Sequence, residues 1–278
     1  MKEPDRPTSE PASPEAVGAA SMNGRGAAGS WALRLWVLSL AGGLLAGFVS
    51  WRAGESSYGH FKNPFVKPAD WGKMNGYERD NFRSSFEIKQ RPSEESRNVA
   101  LTFGVLGAAL GVAMGLAGGL ARGSLTRGLT GAVAGAGVGG FAAALASFGA
   151  VPVFYKYLDP EMGLAVPALT HLVLFAAVGL GGGLGMGAGL GARGSLVRGI
   201  IGGVLGGMAG AAANVLAVAL VFSDMRVYDP IPRDLSVHQT MPVPRLVMHL
   251  SAALFVSILA PLCIQTGQSA GRSVKSMT

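Results

Sequence analysis

Apolar residues come in six long runs separated by short polar stretches, and each run is long enough to cross a bilayer. A helix spanning the hydrocarbon needs about 20 mainly apolar residues. The runs are Trp31–Trp51, Val99–Leu120, Gly128–Val153, Leu164–Gly191, Gly199–Phe222 and Leu246–Ile264. The fourth is long enough to require tilt or a break. Arg34, near the start of the first run, can snorkel toward headgroups. Trp31, Trp36 and Trp51 lie near its ends, where amphipathic rings prefer the interface.

The expected fold is therefore an all-α membrane protein with six transmembrane helices. Residues 1–30 read as a disordered tail and 265–278 as a second tail. Residues 52–98, 154–163 and 223–245 read as loops on the side opposite the tails. A cleaved signal peptide is disfavoured, because the leader carries Glu3, Asp5, Glu10 and Glu15 and the first run ends without a small-residue cleavage pattern.

Within the runs, glycine recurs every four residues. Gly107, Gly111, Gly115 and Gly119 do so in the second, and Gly179, Gly183, Gly187 and Gly191 in the fourth. Gly131, Gly135, Gly139 and Gly199, Gly203, Gly207 continue the pattern in the third and fifth. That spacing places small residues on nearly one helix face. In lipid, such faces hold helices together by close backbone approach. The expectation is a glycine-zipper bundle built on spans two to five, with spans one and six outside it.

The turns of those two hairpins are nearly identical. Residues 121–128, ARGSLTRG, match 192–199, ARGSLVRG, at an offset of 71, and residues 121–140 share eleven identities with 192–211. This reads as a duplicated helical hairpin, 99–153 repeated as 164–222, in parallel orientation. Arg122, Arg127, Arg193 and Arg198 are unaccompanied by acids in these short turns, which marks the cytoplasmic side. Both termini are then cytoplasmic and the chain belongs in the cytoplasmic membrane. The loop of 52–98 works against this, with nine basic residues among seven acids, but its length gives it less influence than the short turns. The main role of the four arginines is to anchor helix ends at headgroups. The sharper alternative is a ring for an anionic ligand or lipid headgroup.

Composition agrees with this picture. The 278 residues are 49% hydrophobic and 14% charged, with 43 glycines, and mean hydropathy is +0.38. Soluble domains carry about 25% charged residues. The net charge of +7 lies largely beside apolar runs, so membrane orientation accounts for it better than nucleic acid does. One cysteine, Cys263, excludes an intrachain disulfide. Gly189, Gly191 and Gly194 fit G-x-G-x-x-G, but a membrane run precedes them, so the dinucleotide reading is discarded.

Three polar side chains inside the runs are functional candidates by default. They are His171, Asn214 and His249, all expected in the half of the membrane away from the arginine turns. Interhelical hydrogen bonding is the plain reading. A substrate or ion path through them is the alternative, and a haem or metal between His171 and His249 is the minor one. No cofactor and no catalytic arrangement is predicted. In the first loop, Tyr58, His60, Phe61, Phe65 and Trp71, and in the last the proline-rich 229–244, could cap the bundle or meet a partner. The leading functional expectation is a packing subunit or scaffold of a membrane assembly, touching lipid and either a membrane-protein partner or its own copies. The second is a small channel or transporter.

Overall fold

The computed structural model describes residues 14–57, 60–157, 165–221 and 242–275, all-helical with no strand among them. Its helices are α1 (Pro14–Ser57), α2 (Gly76–Ala121), α3 (Leu125–Lys156), α4 (Ala165–Leu190), α5 (Arg193–Val221) and α6 (Pro242–Lys275). Each contains a stretch long and apolar enough to cross a membrane. The chain is a multi-pass membrane protein, and outward residues such as Val133, Phe141 and Leu145 give the bundle an apolar coat suited to lipid. Tyr58, the stretch 229–241 and the ends 1–13 and 276–278 lie outside the described residues.

The helices form a closed ring with a filled centre. α1 packs on α2 and α6, α3 on α2 and α4, and α5 on α4 and α6, while α4 also touches both α2 and α6. The even-numbered helices are thus an inner parallel triad, and the odd-numbered helices run antiparallel in its outer grooves. Burial follows suit. Over the apolar span of each helix, 56%, 44% and 50% of residues are buried in α2, α4 and α6, against 28% in each of α1, α3 and α5. This corrects the expectation that span six lies outside a core of spans two to five. Down the centre, Leu110, Met114 and Val256 close around Gly182, so apolar side chains fill the middle of the triad.

Backbone proximity explains why glycine is where it is. A Cβ on Gly107 would collide with Gly139, one on Gly111 with Gly135, one on Gly115 with Gly131 and Ala132, and one on Gly119 with Gly128. In the next pair, Gly179 meets Gly203 and Gly183 meets Gly199, while a Cβ on Gly187 would stand 2.6 Å from Leu196 Cα. α3 uses the same glycines toward α4, where a Cβ on Gly131 would stand 2.6 Å from Gly189 N. α5 instead presents Gly202, Gly206 and Gly210 to α6. α6 has no such ladder. Its small faces are Ala253 and Ser257 toward Gly47 and Gly43 of α1, and Ala252 and Ala260, with the backbone of Val256 between them, toward α5.

The two arginine turns share a sequence but not a register. After α2, Gly123 adopts φ +70°. Ser124 N donates to Gly119 O at 2.9 Å and Gly123 N to Leu120 O at 2.9 Å, the paired bonds of a Schellman cap. After α4 the left-handed residue is Gly191, φ +72°, and its N donates to Ala188 O. The equivalent turn glycines are therefore 68 residues apart, three fewer than the sequence offset. Gly194, which aligns with Gly123, is already helical in α5. Gly191, read from the sequence as the last rung of span four, is the turn itself. Gly191→Ala is expected to cost about 1 kcal/mol, the penalty for an L side chain in the left-handed region. Gly194→Ala has open space around it and gains up to about 1 kcal/mol of helix propensity. Thermal melts of the two variants in detergent check this; equal shifts would place the turn elsewhere.

Two elements extend beyond the expected spans. Asn75 accepts a hydrogen bond from Glu78 N, and the Glu78 carboxylate accepts one from Asn75 N, both 2.9 Å, so a complete capping box starts α2 at Gly76. Residues 76–98, expected within a loop, are thus helix, a projection of about 35 Å beyond the span. Residues 60–73 lie along it. Phe65 packs edge-on against Trp71, Phe82 and Phe86, and Arg79 sits 5.9 Å from the Trp71 ring centre. Phe61 and Asn98 exchange two hydrogen bonds, and Asn63 binds Glu94 and Gln90. α1 also begins at Pro14, within the stretch read as a disordered tail, and α6 continues to Lys275 through most of the second tail.

Candidate functional site

The three sequence candidates, together with buried Ser50, Thr102 and Arg245, lie at the end of the bundle away from the arginine turns, in separate surroundings. Depths follow from the packing register. Gly207 lies opposite Phe175 and Ala176, and Gly210 opposite Ser251 and Ala252. Seven and four residues further along α5, Asn214 therefore stands level with Ala168–Leu169 of α4 and Val247–Met248 of α6. His171 and His249 are within one helical turn of that level.

His249 faces α1. Its Nδ1 lies 2.9 Å from Ser50 Oγ, and that hydroxyl also donates to the Gly47 carbonyl at 2.9 Å. A hydroxyl has one hydrogen, so with it on Gly47 the imidazole donates from Nδ1. One turn before His249, Arg245 reaches the same helix. Its Nε donates to Glu55 Oε1 at 2.5 Å and its Nη2 to Glu55 Oε2 at 2.8 Å, a bidentate pair. Arg245 is 4% exposed and the Glu55 side chain 16%. Buried Thr102 of α2 adjoins Gly54 beside them. Trp51 Nε1 donates to the Pro242 carbonyl just beyond, and at the far end of the same helix pair Trp36 Nε1 donates to Gln265 Oε1.

His171 turns instead to its own helix, with Nδ1 2.8 Å from the Pro167 carbonyl and its ring 6.2 Å from that of Phe175. Asn214 is 1% exposed, and its Oδ1 has no hydrogen-bond partner. Such an acceptor inside an apolar bundle costs about 1–3 kcal/mol.

Sequence reasoning missed Ser50, Glu55, Thr102 and Arg245. Glu55 and Arg245 were assigned to loops, because each lies just past the apolar run of its helix. The available signal was the spacing of Arg245 and His249, four residues apart and hence on one helix face.

At the opposite end, Arg122 lies 5.4 Å from the Trp31 ring centre. Arg127 reaches across to the second turn, where its side chain stands 3.2 Å from the place of a Cβ on Gly191. Arg198 lies over Gly267 of α6, where a Cβ would strike the guanidinium. Arg193 opens α5 and is exposed.

Among the described residues no cluster of three or more His, Cys, Asp or Glu side chains could hold a metal ion. The chain matches no family model, no curated protein and no solved structure.

Proposed function

We propose that the chain is a packing subunit or scaffold of a membrane assembly, holding the 60–98 arm at a fixed position above the bilayer. The observation that carries this reading is the pairing of a filled bundle centre, around Gly182, with a helical arm that continues without a break from the inner helix α2. A close-packed base resists deformation, and an arm rooted in it transmits position. We further read the glycine contacts as a glycine zipper and the two hairpins as copies of one ancestral hairpin. The Gly111–Gly135 and Gly179–Gly203 contacts, themselves 68 residues apart, support both. The arginine turns face the cytoplasm in this reading, with both termini inside and the arm outside the cytoplasmic membrane.

A second reading, a small channel or transporter, rests on the unpartnered Asn214 Oδ1 in the outer half. One experiment separates the two. Residues 62–94 are replaced by a short Gly/Ser linker, and the native particle is sized after mild extraction. The expected result is an unchanged melting temperature with loss of the larger assembly. A particle of undiminished size sinks the scaffold reading, and a solute flux in liposomes that disappears with Asn214→Leu would install the transport reading in its place.

A further inference from the structure

The arginine end of the bundle has a charge arrangement that orientation alone does not require. Arg122, Arg127, Arg193 and Arg198 follow the rim from α1 round to α6, and Arg34 of α1 is exposed on the same end. In the segments flanking the turns, 31–38, 118–130, 188–200 and 260–267, there is no Asp or Glu. Three of the four turn arginines touch protein on one side, at the Trp31 ring, at Gly191 and at Gly267, while Arg122 and Arg127 stay exposed on the other. Two of these contacts lie over a glycine, Gly191 and Gly267.

We propose that this rim is a binding surface for anionic phospholipid headgroups, with Arg127 and Arg198 as its two protein-contacting arginines and Arg122 and Arg193 beside them. Planar guanidinium groups pair with phosphate oxygens in bidentate fashion. A rim at the bilayer surface meets such oxygens at headgroup depth. Each arginine near an anionic leaflet contributes about 1 kcal/mol, roughly a fivefold change in local affinity. The surface is independent of the scaffold reading, since it concerns the lipid boundary of any bundle with these turns.

The full chain is reconstituted in nanodiscs of phosphatidylcholine and phosphatidylglycerol at three to one, extracted gently, and the retained lipids counted by native mass spectrometry. Wild type is expected to retain phosphatidylglycerol at about fivefold or more above its bulk share. The R127Q/R198Q variant keeps Arg122 and Arg193 to fix topology, and its enrichment is expected to fall at least fivefold. Undiminished enrichment in that variant, or none in wild type, overturns the proposal. R127K/R198K, which keeps the charge and lacks the planar fork, is expected to fall between the two; a value equal to wild type overturns the role of the protein-contacting guanidiniums. Inorganic phosphate added to pure phosphatidylcholine discs is expected to leave the melting temperature unchanged, and a rise that the double variant abolishes would assign the rim to a soluble phosphate compound instead of a lipid.

Discussion

Gly111→Leu is expected to prevent the α2–α3 hairpin from closing, with a loss of more than about 3 kcal/mol. Overpacking a core ordinarily costs 1–3 kcal/mol because neighbouring side chains can turn aside. Here the new Cβ meets the Gly135 carbonyl and the Ala136 nitrogen, and backbone in a helix cannot rotate away. The same residue is closed in from α4, since its carbonyl oxygen lies 2.5 Å from the place of a Cβ on Gly185. Gly137→Leu is the matched control, for Gly137 is on the exposed face of the same hairpin with open space around it. The yield and melting temperature of folded protein in detergent measure both. The contact geometry fails if Gly111→Leu melts with wild type.

Arg245→Ala is expected to cost about 2–4 kcal/mol, toward the lower part of the range for a buried pair, because it strands the half-buried Glu55 carboxylate without its partner. Most of that cost comes from the abandoned charge. Accordingly, the double variant Glu55→Ala with Arg245→Ala is expected to be more stable than Arg245→Ala alone, leaving a coupling energy of at least about 2 kcal/mol in the double-mutant cycle. Additive single and double effects would mean that the pair is solvated and contributes little. His249→Ala removes no charge but loses a hydrogen bond and leaves a cavity in a fully buried site, and is expected to cost about 2–4 kcal/mol.

What could be read from the sequence divides along physical lines. The six spans were legible because hydrocarbon demands an uninterrupted run of apolar residues. The arm was not, since residues 76–98 carry a mixture of charges that lowers hydropathy, yet the Asn75-Gly-Tyr-Glu78 cap was in plain view as a helix start. The place of α6 in the inner triad was hidden because its small faces use alanine and serine in place of glycine. The turn register was hidden as well. Ser124 caps α3, receiving a bond from Arg127 N, while its counterpart Ser195 lies buried in the first turn of α5, so identical letters adopt different roles once Gly191 can turn first. Of the candidate residues, His249 belongs to a cluster that joins Arg245 of its own helix to Ser50 and Glu55 of α1 and Thr102 of α2, far away in sequence. His171 and Asn214 share its depth, which span positions alone could suggest.

The pairing of α1 with α6 has a consequence in time. Glu55 and Arg245 are 190 residues apart, and chains grow at roughly 5–20 residues per second. For roughly 10 to 40 seconds after Glu55 is made, its partner does not yet exist. During that interval α1 has no sixth helix to lie against, and its carboxylate has to remain near water or be shielded by the insertion machinery. The last helix to be synthesised closes the ring beside the first, so a ribosome stalled before residue 242 would leave five helices in the membrane with an open seam.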